Sequence, residues 1–70
     1  MNASAATKID PEILGGERVF VGTRVPVRSL FDHLAAGDSI DDFLEGFPSV
    51  KREQVLAVLD ESRLHILELT

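Results

Sequence analysis

Three helices are predicted from residue 27 onward, where residues 27–59 read VRSLFDHLAAGDSIDDFLEGFPSVKREQVLAVL. Apolar side chains recur in this stretch at i, i+3, i+4 and i+7, the spacing that gathers them on one helix face. The first helix begins at Val27 and ends before Gly37, because glycine readily adopts the left-handed conformation that follows a helix. Its apolar stripe consists of Val27, Leu30, Phe31 and Leu34.

The second helix is predicted from its capping signals, and a third helix follows it. Ser39 is a good N-cap, and two aspartates in the first turn lie near the positive end of the helix dipole. This second helix ends before Pro48, since proline cannot continue it. The third helix is expected to begin at residues 49–51 and to run to near Glu68.

A β-hairpin is predicted upstream of these helices. Residues 18–21 and 24–27 are rich in strand formers, and Gly22 between them suits a tight turn. Because Pro26 cannot donate a ladder hydrogen bond, the second strand is an edge or is very short. We therefore expect an α+β fold that is mostly α, with a short N-terminal β-hairpin followed by three helices.

Length and composition limit the possible classes of protein. At 70 residues the chain is one domain. We expect residues 1–7 to be a flexible, frayed terminus and residues 8–70 to form the domain. The chain has no cysteine and only two histidines, so we expect no disulfide, no metal site and no cofactor. The lack of an apolar leader and of a membrane-length apolar run predicts a cytoplasmic protein.

The charge is distributed unevenly along the chain. Residues 1–35 carry four basic and four acidic side chains, whereas residues 36–70 carry three basic and eight acidic ones. The whole net charge of −5 therefore lies in the second half. An acidic chain is not drawn to nucleic acid by its overall field. The best local basic patch is residues 18–30, which contain three arginines and no carboxylate.

Catalytic chemistry is not indicated by the titratable residues. Asp32 and His33 are adjacent on a predicted helix and point about 100° apart, so they cannot act as a pair. His65 has no partner whose position suggests an arrangement of a base and an orienting group. The glycines at 15–16 and 22 lie around predicted strands rather than before a capped helix, so they form no phosphate loop. We expect a protein that is not an enzyme.

The third predicted helix is more apolar than one buried face requires. Nine of the fifteen residues in 55–69 are apolar. A helix that is apolar on more than one side is usually buried on more than one side, so we expect a second cover from another subunit or a partner protein. For two of its residues, Leu59 and Ile66, a place in the domain's own core is favoured over an interface. The candidate interface anchors are Leu56, Leu59, Leu64, Ile66 and Leu67, with Arg63 and His65 at the rim.

Residues 10–27, which read DPEILGGERVFVGTRVPV, resemble the opening of the domain-of-unknown-function 433 family. The most specific piece is the run from Gly22 to Val27. Other matching pieces are Asp10-Pro11, Gly15-Gly16, Leu34–Gly37, Ser39 and Phe47-Pro48. Members of this family are regarded as VapB-like antitoxins of type II toxin–antitoxin pairs.

This resemblance implies both a fold and a function. The implied fold is a helix-turn-helix-like domain preceded by short strands. The implied function is to bind and silence a PIN-like ribonuclease toxin encoded beside it and to repress the promoter of the pair, without enzymatic activity. A homodimer or a higher toxin–antitoxin complex is also expected, because small uncrosslinked domains often gain stability by association.

DNA binding would use the start of the third helix, because the N-terminal residues of a recognition helix enter the major groove. Arg52 could bond guanine and Gln54 could bond adenine, while Ser49 or Lys51 could reach phosphate. The alternative is a plain three-helix bundle with a solvated first turn. Four acidic residues on and beside the neighbouring helix oppose DNA binding.

The arginine-rich stretch offers a second candidate site. Arg24 and Arg28, with Arg18 across the predicted hairpin, could contact phosphate or the metal-binding carboxylates of a toxin. The alternative is that Arg24 pairs with Asp10 or Glu17 and holds the N-terminal turn.

The leading hypothesis is an antitoxin that binds and inhibits a cognate PIN-like nuclease. The alternatives are a stand-alone dimeric helix-turn-helix DNA-binding regulator and a protein-interaction adaptor. The residues expected at the interface with the toxin or a second copy are Arg24, Arg28, Leu56, Arg63, Leu64 and Leu67. A neighbouring reading frame with scattered aspartates would favour the antitoxin.

Overall fold

A computed structural model describes residues 1–69 of the chain. Its helices and strands, in chain order, are α1 (Ala3–Ala6), β1 (Thr7–Ile9), β2 (Arg18–Phe20), α2 (Val27–Ala35), α3 (Ile40–Gly46) and α4 (Arg52–Leu67). The predicted class, α+β and mostly α with a hairpin before the main helices, is confirmed. None of these helices within the described residues is long and apolar enough to cross a membrane.

The hairpin is built from different strands than the sequence predicted. The strand β2 pairs with β1 in antiparallel register, Thr7 with Phe20, Lys8 with Val19 and Ile9 with Arg18. Residues 24–27 form no strand: they contribute an isolated bridge between Val19 and Pro26, and the Val25 carbonyl accepts a hydrogen bond from the Phe20 N–H at 3.0 Å. The reason is that Pro26 lacks an N–H and serves as the N-cap residue of α2, so the ladder ends there.

The N-terminal segment forms the short helix α1 and the start of β1, where the sequence predicted a flexible, frayed terminus over residues 1–7. The Asn2 side chain caps α1 by accepting a hydrogen bond from the Ala5 N–H at 2.9 Å. The Thr7 hydroxyl donates to the Ala3 carbonyl at 2.7 Å and ends the helix. Both Ala6 and Thr7 are buried, and α1 packs against α4. A helix of small residues needs that distant partner to be covered, which local sequence does not reveal.

The connection between β1 and β2 contains a left-handed turn. The Asp10 carboxylate accepts a hydrogen bond from the Glu12 N–H at 2.9 Å. Leu14, Gly15 and Gly16 then follow with φ values of 50°, 67° and 90°. Glycine adopts this conformation freely, whereas an L-residue such as Leu14 does so at a cost of roughly 1–2 kcal/mol. Leu14 is also half exposed, so its side chain lies outside the core.

The capping signals of the main helices are confirmed by the structure. Gly37 follows α2 with φ 96°, and Ser39 begins α3 with a capping box. The Ser39 hydroxyl accepts from the Asp42 N–H at 3.0 Å, and the Asp42 carboxylate accepts from the Ser39 N–H at 3.1 Å. Hydrogen bonds from the Ser39 backbone and, second, from its side chain lower the pKa of Asp42.

The hydrophobic core lies where β2, α2, α3 and α4 meet. Its buried members are Phe20, Leu30, Phe43, Val50, Val55 and Val58. The rings of Phe20 and Phe43 lie 6.2 Å apart between centroids, in a tilted arrangement that aromatic pairs favour. The predicted apolar stripe of α2 is wrong at Phe31, which is 40% exposed. Leu30, the residue before it, is fully buried in this core.

Candidate protein-interaction surface

Burial along α4 stops in the middle of the helix. The buried residues of this helix are Gln54, Val55, Ala57 and Val58, followed by the half-buried Leu59. From Asp60 to Leu69 every residue except Ser62 is exposed. A 16-residue helix is about 24 Å long, so the rest of the fold covers its first half and leaves its second half projecting.

The projecting half carries most of the exposed apolar side chains of α4. We use the name C-terminal hydrophobic face for the exposed apolar side chains around the projecting end of the helix, on more than one of its sides. They are Leu56, Leu64, Ile66 and Leu67 of α4 and Leu69 just after it, with exposed fractions of 50%, 41%, 61%, 61% and 66%. Single exposed apolar residues are ordinary on protein surfaces, whereas a group on adjacent helical turns commonly marks an interaction site. The predicted interface anchors Leu56, Leu64 and Leu67 are therefore accessible.

The predicted core position of Ile66 is wrong, although its helical register is right. Ile66 lies eleven residues after Val55 and seven after Leu59, so it continues the side of the helix on which both of these residues pack. The described part of the chain contains no element that reaches this level of the helix, and Ile66 stays 61% exposed. Leu59 does pack against the core as expected.

The charged residues of α4 fall into paired and unpaired sets. Arg52 forms an ion pair with Asp41 of α3, and Arg63 pairs with Asp60 one turn earlier at 2.9 Å. The three glutamates of this region have no cationic partner within 4.0 Å among residues 1–69; they are Glu53, Glu61 and Glu68. The edge of the projecting helix is therefore anionic.

The predicted base-reading role of Gln54 is contradicted by its burial. This side chain is 5% exposed, and its amide group donates to the Val21 carbonyl at 3.0 Å and to the Ala6 carbonyl at 3.4 Å. Its oxygen accepts from the Lys51 N–H at 2.9 Å, which satisfies one free donor at the start of α4. Gln54 thus joins Ala6 of α1 and Val21, the residue after β2, to the start of α4, and its amide is buried away from any base.

The other residues predicted to bind DNA lie at the surface beside acidic groups. Ser49, Lys51 and Arg52 are exposed. The guanidinium of Arg52 is engaged by Asp41, which lies with Asp42 in the first turn of α3. Carboxylates of α3 therefore lie beside the start of α4, and this arrangement disfavours a phosphate backbone.

The arginines of the N-terminal half are exposed and only partly paired. Arg28 pairs through Nε with Glu17 at 3.3 Å, and Arg18 donates to the Thr7 hydroxyl at 3.0 Å. The predicted alternative pairing of Arg24 with an N-terminal acid is not formed within the described residues, and Arg24 remains exposed. Sequence spacing could not distinguish Arg24 from Arg28 as the partner of Glu17, because the pairing depends on how α2 follows β2.

The two histidines have different environments. His33 contacts the Asp38 carboxylate through Nδ1 at 2.9 Å, and its ring meets the edges or faces of Phe43 and Phe47 at centroid distances of 5.5 Å. It therefore ties the end of α2 to α3. His65 is exposed. Within residues 1–69 no group of three or more His, Asp or Glu side chains could hold a metal ion.

The fold and this surface define a small α+β domain with one uncovered apolar helix face. The chain belongs to the family described as Protein of unknown function (DUF433), which matches residues 8–60. A similar curated protein is "Uncharacterized protein y4eO" of Sinorhizobium fredii, 47% identical over 45 residues. Those residues make up 64% of this chain and 20% of the relative, so the chain spans about a fifth of that protein. No solved structure matches the chain.

Proposed function

We propose that this protein is a cytoplasmic antitoxin that binds and inhibits a PIN-like ribonuclease toxin through the C-terminal hydrophobic face of α4. The observation that supports the proposal most directly is the exposure of four large apolar side chains between Leu64 and Leu69, beyond the point where the rest of the fold covers the helix. The resemblance of residues 10–27 to antitoxins supplies the class of partner.

Burial of this face in an interface would contribute substantially to the free energy of binding. Complete burial of one Leu or Ile side chain is worth about 1.5–3 kcal/mol. Five such side chains that are about half exposed therefore represent roughly 4–8 kcal/mol, before the cost of association is subtracted. A few buried apolar anchors of this kind commonly dominate the energy of a protein interface.

In this proposal the toxin–antitoxin complex binds the operator DNA, and the chain alone does not. Gln54 is buried and Arg52 is engaged by Asp41. The chain also carries a net charge of −5, which opposes approach to DNA. The exposed Arg24 and Arg28 are the residues of this chain best placed to add to a cationic surface of the complex. The stand-alone regulator is the less supported alternative.

Co-expression with the PIN-like nuclease of the neighbouring reading frame tests the proposal. We expect the two proteins to co-purify, the nuclease to lose activity and the growth of the host to be restored. The double variant Leu64→Asp, Leu67→Asp places two charges on the C-terminal hydrophobic face, so binding and growth rescue should be lost while the fold is kept.

The matched control is Leu14→Asp, the same substitution at a half-exposed leucine in the loop between β1 and β2. This control should keep both binding and rescue, because Leu14 lies in the loop between β1 and β2 and is not part of the C-terminal hydrophobic face. Full inhibition of the nuclease by the double variant, or a nuclease that ignores the wild-type protein, would contradict the proposal.

A further inference from the structure

Leu64 lies between two carboxylates on the projecting part of α4. Residues three and four apart are neighbours on a helix surface, so Glu61 at i−3 and Glu68 at i+4 flank this leucine. All three side chains are exposed. The arrangement combines an apolar anchor with two negative charges within about one helical turn on either side.

Neither carboxylate is neutralised by a cation within the part of the chain that the structure describes. The cations of α4 are engaged elsewhere, Arg52 by Asp41 and Arg63 by Asp60. Glu61 has no cation within 4.0 Å in residues 1–69, and the same holds for Glu68 over that range. Whatever covers Leu64 must therefore also approach two unpaired negative charges.

A second copy of this chain is poorly suited to pack against this surface. A closed pair of antiparallel α4 helices places the edge that carries Glu61 and Glu68 against the same edge of the other copy. Each copy also has a net charge of −5, so long-range repulsion opposes the encounter. Like charges brought together at an interface are strongly unfavourable.

We propose that the occupant of this face is a partner with an apolar pocket for Leu64 and lysine or arginine side chains at the rim, placed to meet Glu61 and Glu68. This inference rests on the proposed function in that it specifies the toxin surface that α4 contacts. A guanidinium is the best-matched cation, because its fork can bond both oxygens of a carboxylate. Opposite charges at a rim speed association and make it sensitive to salt.

The first experiment measures binding of the full chain to the PIN-like nuclease at about 50 and about 300 mM NaCl. The test variant is Glu61→Gln, Glu68→Gln, which keeps the size and helix propensity of both side chains. The matched control is Glu12→Gln, Glu45→Gln, which changes the net charge equally at two exposed glutamates outside α4. We expect the test variant to bind about fivefold more weakly at low salt and to lose most of its salt dependence, with the control within about twofold of wild type.

The second experiment examines the chemistry of the face without the nuclease. Two designed amphipathic helical peptides share one leucine pattern and differ only in carrying lysine or glutamate on the polar side. We expect the lysine peptide to shift the NMR signals of Leu64 and Leu67 and the glutamate peptide to leave them unchanged.

The two experiments separate failure of this inference from failure of the antitoxin proposal. The inference is overturned if Glu61→Gln, Glu68→Gln binds the nuclease as tightly as wild type does and with the same salt dependence. The antitoxin proposal would still stand. A nuclease that does not bind, together with a lysine peptide that does, overturns the antitoxin proposal alone. Binding of neither overturns both. Concentration-dependent dimers that Leu64→Asp abolishes would show that a second copy is the occupant and would also overturn the inference.

Discussion

The two halves of α4 both carry large apolar side chains, but the fold covers those of the first half and leaves those of the second half exposed. Val55 and Val58 in the first half are 0% and 5% exposed. Ile66 and Leu69 continue the same side of the helix in the C-terminal part, and they are 61% and 66% exposed. Helical periodicity determines the direction in which a side chain points. Whether that side chain is buried depends on whether another element of the fold reaches the same level of the helix.

The largest effect on stability is expected from truncating the covered half. Val55→Ala removes two buried methyl groups and leaves a cavity in the core, so the free energy of unfolding should fall by about 2–3 kcal/mol. Urea unfolding followed by circular dichroism measures this loss. The control is Ile66→Ala on the same side of the helix, which should change the stability by less than about 0.5 kcal/mol. Equal losses at the two positions would mean that the second half of α4 is covered in the isolated protein.

A smaller loss of stability is expected at Gln54, which attaches α1 and the residue after β2 to the first half of α4. Gln54→Ala removes the hydrogen bonds to the Val21 carbonyl and the Lys51 N–H, which should cost about 1–2 kcal/mol. Exchange of the Val21 amide hydrogen, which bonds to the Ala6 carbonyl, should also become faster as α1 loosens. The exposed neighbour Glu53→Ala is the control and should leave exchange at Val21 unchanged. Unaltered exchange at Val21 in the Gln54 variant would show that α1 is held without this side chain.

The cap of α3 should have a still smaller effect, because it lies outside the core. Ser39→Ala removes the hydroxyl that accepts from the Asp42 N–H, and a lost N-cap costs about 1 kcal/mol. Ser39→Gly serves as the comparison, since glycine is tolerated at this position with a loss of only a few tenths of a kcal/mol. An alanine variant as stable as wild type would argue that the capping box does not contribute to stability.

The weakest effect is expected in the dependence of stability on pH. The lowered pKa of Asp42, caused by hydrogen bonds from Ser39, means that the carboxylate stabilises the fold above the unfolded pKa of about 4. That contribution is lost as pH falls through the lower pKa of the folded state. Asp42→Asn should therefore flatten the decrease in stability below about pH 4, as measured by denaturant unfolding at several pH values. If stability decreased equally at low pH in Asp42→Asn and in wild type, the pH dependence would come from other groups.

Predictions based on local interactions agreed well with the fold. The cap at Ser39 and the glycine at Gly37 mark helix ends through contacts a few residues apart, so the limits of α2 and α3 could be predicted closely. The strand pairing could not, because β1 and β2 meet across a connection that contains a left-handed turn at Leu14–Gly16. The short helix α1 was not predicted either, since it packs against the distant α4.

The candidate site shows the same division between local and distant interactions. The surplus of apolar residues after Val55 predicted an exposed interface, and Leu56, Leu64 and Leu67 are accessible in the structure. The sequence predicts that Gln54 contacts a DNA base, because its position suits a recognition helix. Its actual partners, Ala6 and Val21, lie 48 and 33 residues away in sequence, so no local pattern could indicate them.

The amino-acid sequence alone established the three main helices, the signals at Gly37 and Ser39, the excess of negative charge in the second half and the surplus of apolar residues after Val55, because each depends on spacing or composition. The tertiary structure was needed to show that Gln54 faces inward and that Ile66 remains uncovered. Burial is a property of what surrounds a side chain, and for these two residues the surroundings come from segments far away in the chain or are absent from residues 1–69.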